Sequence, residues 1–185
     1  MLGLMNKILA RLPARQSVLY VYATAVFMVY GWTVMASFWK VPSWLFFLKI
    51  SEVLAVYAYS FVVNFIESIL LLSLALFVSA ILPDRWWKDR FTVSSMVWIM
   101  VIMGSMMLRL YQNRTPSGWE NFLYGQWTWW GNTFLLALAF HLVVSRVNWL
   151  QKGLIALSDR LAVFLYIYLP LTAISFIVVF VRNVL

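Results

Sequence analysis

The residues of this chain best suited to chemistry lie together in the middle of a long apolar stretch. Asn64, Glu67 and Ser68 stand at spacings of one, three and four residues, so they are neighbours on the surface of a helix. An ionised carboxylate near the middle of a bilayer costs about 3 kcal/mol. We therefore expect Glu67 to carry a proton or to be compensated by a polar group from another helix or another chain.

Two interpretations of this cluster stay open. It is either an ion, proton or polar-substrate site, or a polar clamp that fixes helix packing or partner recognition. Small and polar residues recur along the same stretch at steps of three and four, which lets helices approach closely and hydrogen-bond. They are Tyr57, Ser60, Asn64, Ser68, Leu71, Ala75 and Ser79. This stripe is expected to face protein, not lipid.

His141 is the one histidine of the chain, and cysteine is absent. A lone imidazole with neither cysteine nor a nearby carboxylate does not make a metal site. We expect His141 to be a hydrogen-bonded packing residue. A proton relay between Glu67 and His141 is the alternative, although the two are predicted to lie at different depths.

A methionine stripe follows in the third apolar run, at positions 96, 100, 103 and 107. Thioethers at this spacing bind soft cations such as Cu(I), and the pattern resembles that of copper-uptake proteins. Methionine also fills gaps in apolar packing, and the chain lacks a methionine-rich tail. We predict packing, with no metal and no cofactor.

A third candidate site lies near one membrane surface, where Arg109, Arg114 and Trp119 follow the third apolar run. Arginine beside aromatic rings can hold a phosphate or a lipid headgroup. The alternative is an interfacial anchor, because indole rings favour the headgroup level.

The elements that carry these residues are five long apolar runs. Of the 185 residues, 64% are hydrophobic and 11% are charged. A bilayer core of about 30 Å needs a helix of about 20 apolar residues, and backbone in lipid must satisfy its own hydrogen bonds. We predict an all-α integral membrane protein, a bundle of five transmembrane helices in one domain, 1–185. The spans are about 17–39, 53–82, 91–110, 128–146 and 160–181.

The flanks of the runs carry further signals. In segment 1–16, leucine, isoleucine and methionine residues share one helix face, and Lys7, Arg11 and Arg15 repeat every four residues on another, which predicts a short amphipathic interfacial helix. Ser43 after Pro42 predicts a helix start before the second span, and Ser158 predicts a cap for the last one. Pro170 is expected to kink that last span.

Basic residues indicate the orientation. Of the 14 Lys and Arg residues, nine lie on one side and five on the other. The nine are Lys7, Arg11, Arg15, Arg85, Lys88, Arg90, Arg146, Lys152 and Arg160. Because positive residues collect in the cytoplasm, we predict a cytoplasmic N-terminus, an external C-terminus and a place in the cell membrane. The net charge of +8 forms no continuous patch, so nucleic acid is not an expected partner.

Motifs for catalysis, such as G-x-S-x-G, H-E-x-x-H or a glycine-rich phosphate loop, are missing. We expect a non-catalytic subunit of a membrane assembly, surrounded by lipid and bound to other membrane proteins or to a second copy. A small transporter with a pocket between spans two, four and five is one alternative. The five-span layout also resembles the membrane anchor of lipoteichoic-acid-synthase-type enzymes, which implies a second alternative, the membrane partner of an extracytoplasmic lipid- or polymer-modifying enzyme.

Overall fold

The structure, a computed structural model, describes residues 13–82, 90–113 and 125–184. Across these ranges the chain is helical and contains no strand. The helices are α1 (Arg15–Phe47), α2 (Ile50–Ile81), α3 (Phe91–Gln112), α4 (Gln126–Arg146), α5 (Asn148–Ala162) and α6 (Leu165–Val184). All except α5 are long and apolar enough to cross a membrane, which confirms the five predicted spans.

The first helix continues farther than its predicted end at residue 39. Pro42 lies inside α1, which ends at Phe47. Proline removes one backbone hydrogen bond, and so near its end the helix can continue past it. Ser43 is therefore part of α1, and the predicted helix start there is wrong. The cap of α2 comes instead from Glu52, whose carboxylate accepts a 2.7 Å hydrogen bond from the backbone N–H of Lys49.

The segment before the last span also differs from the prediction. Residues 148–162 form a separate helix, α5, so the last span begins at Leu165 and not at 160. Ser158 is wholly buried inside α5 and donates a 2.7 Å hydrogen bond to the carbonyl of Ile155, so it is not a cap. Most of the amphipathic helix predicted for 1–16 cannot be compared with the structure, because residues 1–12 lie outside the described ranges. The end of that segment belongs to α1, which begins at Arg15.

The five spanning helices form a row. Helix α1 is central, with α2 packed on one flank and α3 on the other. Helix α6 packs on the outer side of α2, and α4 packs on the outer side of α3. Because α2 and α3 contact each other only slightly, the row leaves a gap between them. We call the membrane side where α1 begins proximal, and the side where it ends distal.

Helix α5 crosses the proximal end of this row. Its apolar face puts Leu150 and Leu154 against an α3–α4 cluster around Val93 and Val144. Farther along, Leu161 packs against a cluster that includes small residues of α1. The hydroxyl of Tyr20 on α1 donates a 3.1 Å hydrogen bond to the carboxylate of Asp159. Helix α5 therefore braces the row from α4 across α1 to α6.

Candidate functional site

A line of hydrogen-bonding side chains runs between α1, α2 and α6. We call it the polar seam, and it consists of Tyr30, Thr33, Ser37, Tyr57, Asn64 and Thr172. The hydroxyls of Tyr30 and Thr172 are 2.6 Å apart, and that of Tyr30 also lies 3.1 Å from the carbonyl oxygen of Phe61. One tyrosine therefore links three helices by hydrogen bonds inside the bundle.

Asn64 is the central amide of the seam and is 4% exposed. Its Oδ1 accepts a 3.0 Å hydrogen bond from the hydroxyl of Thr33. Its Nδ2 is buried and has no hydrogen-bond partner among the described residues. Burying an amide N–H group without a partner costs free energy. Asn64 is thus half satisfied, and it faces α1 within the protein.

Ser68 lies one turn farther along the same face of α2. It is wholly buried, and its hydroxyl donates a 2.9 Å hydrogen bond to the carbonyl of Phe65 on its own helix. Ala75 and Ser79, farther along the stripe, are buried as well. These small side chains let α2 lie close to its neighbours. In this half of the stripe the buried side chains form part of the contact between α2 and its neighbours.

Glu67 does not share this burial. Its side chain is exposed, and its immediate neighbours Ile66 and Leu70 are 51% and 62% exposed. It lies 17 residues from the first residue of α2 and 14 from the last, which puts it at the middle of the spanning helix. Within the described part of the chain, its carboxyl group makes no hydrogen bond or ion pair. Its carboxyl therefore points out of the row at the depth of the acyl chains.

His141 is far from this position in the fold. It lies on α4, and α4 packs on α3 at the opposite end of the row from α6. The nearby end of α4 is capped by Arg90, whose guanidinium donates to the carbonyl of Ser145. The structure therefore does not bring Glu67 and His141 together. Within the described residues, α4 packs mainly on α3, and its main contacts do not include α2 or α6.

Arg109 is buried at the distal end of α3, with 5% of its surface exposed. Its guanidinium carbon lies 5.1 Å from the centre of the Trp129 ring on α4, a cation–π distance. Its backbone carbonyl also accepts a 2.8 Å hydrogen bond from the amide of Asn113. Arg109 thus joins two helices and is not an exposed anchor. Arg114 and Trp119, which the sequence predicts to share its site, lie outside the described residues.

An apolar slot with a volume of about 360 Å³ lies between α2 and α3. Leu71, Leu74, Ala75, Val78 and Leu82 line it from α2, and Ser95, Trp98, Ile99, Ile102 and Met103 line it from α3, with Phe134 of α4. The Oγ atom of Ser95 is buried and has no hydrogen-bond partner among the described residues. The slot suits an apolar occupant.

The methionine stripe of α3 lies in the packed part of the row. Met96 is wholly buried, and Met100 and Met103 pack against a cluster of residues from α1, α5 and α6. Met103 also lines the slot. Within the ranges described, no three histidine, aspartate or glutamate side chains lie close enough together to hold a metal ion. Contacts of this kind are those of gap-filling methionines.

Comparisons with protein-family models, curated proteins and solved structures find no match to this chain. The function of this chain is therefore inferred from the geometry of its described residues.

Four of the six residues of the polar seam were not predicted from the sequence, although a signal for them exists there. Tyr30, Thr33 and Ser37 recur in α1 at steps of three and four, the spacing that marked the stripe in α2. In α6, Tyr168, Thr172 and Ser175 repeat it. Matching these three patterns predicts that α1, α2 and α6 share a polar contact, because each pattern puts hydroxyls on one helix face.

Proposed function

We propose that this chain is a non-catalytic subunit of a larger membrane assembly. The observation that carries the proposal is the outward-facing carboxyl of Glu67 at the middle of α2. Acidic side chains inside membranes face the interior of a bundle or a water-filled cavity, and they pair with other polar groups. Because Glu67 is exposed on α2, another protein that covers this face would give its carboxyl group such a buried, paired environment.

The chain itself offers no compensating charge at this depth among its described residues. Lys40, Arg109 and Arg182 lie within roughly two helical turns of the ends of their helices. The other basic residues on described spanning helices are Arg15 and Arg146, which are terminal residues of α1 and α4. A cation that compensates an ionised Glu67 would therefore come from outside the described part of this chain.

The exposed surfaces of α4 and α6 are suited to direct contact with lipid. Outward-facing positions of α4 and α6, such as Leu135 and Phe180, are large apolar side chains. Surfaces of this composition need no protein cover in a bilayer. The case for a partner therefore rests on Glu67, and it points to the face of α2.

Co-purification tests the proposal. The tagged chain is extracted from its native membrane with a mild detergent, and we expect other membrane proteins to be isolated with it. Glu67→Gln should reduce their yield, because the amide cannot form an ion pair. Ser73→Ala is the matched control, since it removes a polar group from another exposed position of α2. A lone monomer from the wild-type chain would contradict the proposal.

We propose further that the proximal side is cytoplasmic and that the membrane is the cell membrane. The support is the excess of Lys and Arg on that side. Because the chain has no cysteine, single-cysteine labelling is free of background. Ser51→Cys, exposed on the distal side, should react with an impermeant maleimide in intact cells, whereas Lys152→Cys should react only after permeabilisation. The reverse pattern would invert the orientation.

A further inference from the structure

Glu67 and the apolar slot lie on one face of α2. Glu67, Leu71, Leu74 and Val78 follow each other at steps of four, three and four, and such positions form a continuous ridge on a helix. The last three line the slot. Glu67 therefore stands one helical turn beyond the slot, toward the distal side and at mid-membrane depth.

The slot is large enough for side chains of a neighbouring helix. Its volume of about 360 Å³ is more than twice the roughly 150 Å³ of an apolar cavity that holds benzene. It is open along the gap where α2 and α3 separate. Its exposed rim includes Leu74, which is 57% exposed, so an occupant would bury apolar surface of this chain.

From these two features we infer that α2 docks one transmembrane helix of a different protein, which carries a lysine or arginine at mid-membrane depth. The inference rests on the proposed function and names the partner's chemistry. An apolar face on that helix fills the slot, and its cation pairs with the carboxylate of Glu67. Pairing compensates both charges inside the membrane, where each alone is costly.

Other occupants match only part of the site. A lipid acyl chain fills an apolar slot but leaves the carboxyl group of Glu67 without a partner. A second copy of this chain supplies, at that depth of its described helices, another Glu67 and no cation. A partner helix with a basic residue satisfies the slot and the carboxyl together.

The geometry also fixes a pattern in the partner. The slot runs from one turn beyond Glu67 to Leu82 on the proximal side. We therefore expect the basic residue of the docked helix to lie level with Glu67. On its proximal side we expect large apolar residues at steps of three and four. It carries these over about 15 residues, the separation of Glu67 and Leu82.

Site-specific photo-cross-linking in the native membrane tests the position of the docked helix. A photoreactive amino acid replaces Leu74 in the slot, and in a second variant it replaces Leu135, which is similarly exposed on α4 at 63%. We expect a cross-linked species with another membrane protein from position 74 and none from position 135. Mass spectrometry of the product identifies the partner peptide and its basic residue.

Charge exchange tests the pairing. Glu67→Lys should lower the amount of co-purified partner by about tenfold or more, equivalent to about 1.4 kcal/mol. Replacing the partner's basic residue by glutamate should restore binding to the Glu67→Lys chain but not to the wild type. Leu74→Trp should also weaken binding by narrowing the slot, whereas Leu135→Trp should not. Elution of each variant as a monodisperse helical protein in detergent verifies its fold.

The outcomes separate the inference from the proposed function. If membrane proteins co-purify but cross-link only elsewhere and tolerate Glu67→Lys, the docking site is wrong and the subunit proposal stands. If position 74 captures only lipid, or only a second copy of this chain, the inference is overturned. If the wild-type chain is isolated alone, both are wrong.

Discussion

The hydroxyl groups of Tyr30 and Thr172 lie 2.6 Å apart, although 142 positions separate them in the sequence. The contact joins the central helix of the row to its last helix. The tyrosine hydroxyl reaches the carbonyl of Phe61 on α2 as well. This junction holds together the half of the row that presents Glu67.

Tyr30→Phe should therefore destabilise the protein. The ring and its packing against Phe61 and Tyr168 are kept, but the hydroxyl that links α1 to α2 and α6 is lost. We expect the free energy of unfolding to fall by about 1 kcal/mol, measured by denaturation in detergent micelles. The control is Tyr166→Phe, because Tyr166 is 83% exposed. Equal effects of the two substitutions would show that the junction contributes nothing.

A double substitution tests the half-satisfied amide of Asn64. Asn64→Leu alone removes the acceptor used by Thr33, and Thr33→Val alone leaves Asn64 with no hydrogen bond to its neighbour. The double variant removes both polar groups, so its loss of stability should be smaller than the sum of the single losses by about 1 kcal/mol. Additive losses in unfolding measurements would mean that the two side chains do not interact.

The brace formed by α5 predicts a localised defect. Leu161 is 6% exposed and packs against α1, so Leu161→Asn should put an unsatisfied amide into that contact. We expect a loss of about 2–3 kcal/mol and faster hydrogen exchange in α5. Leu157→Asn is the control, since Leu157 is 40% exposed on the same helix. Unchanged exchange in the Leu161 variant would contradict the bracing role.

Two tryptophans on α4 offer a matched test of the Arg109 contact. Trp129 lies under the guanidinium of Arg109, whereas Trp127, two residues earlier, is 91% exposed. Trp129→Leu should lower the free energy of unfolding by about 1–2 kcal/mol through the lost cation–π contact. Trp127→Leu should change it by less than about 0.5 kcal/mol. A larger effect at Trp127 would argue against the contact.

Much of the candidate site was predictable and part of it was not. The spacing of Asn64 and Ser68 with small residues predicts a packed face, and both side chains are buried. Glu67 adjoins that face at its margin, because one residue advances about 100° around a helix. Whether a side chain at the margin of a packed face is buried or exposed depends on which helix packs beside it. The slight contact between α2 and α3 leaves Glu67 exposed, and no local pattern encodes that separation.

The sequence by itself determined that the chain has five membrane-crossing helices and approximately where they lie. It could do so because lipid leaves an apolar run of this length no structure except one that satisfies its own backbone. Only the tertiary structure decided the order α6–α2–α1–α3–α4, the existence of α5 as a separate brace, and the outward direction of Glu67. These features depend on contacts between residues far apart in the sequence, such as Tyr30 with Thr172. In lipid, such contacts are selected by close packing and hydrogen bonding between helices, and hydrophobicity does not distinguish among them.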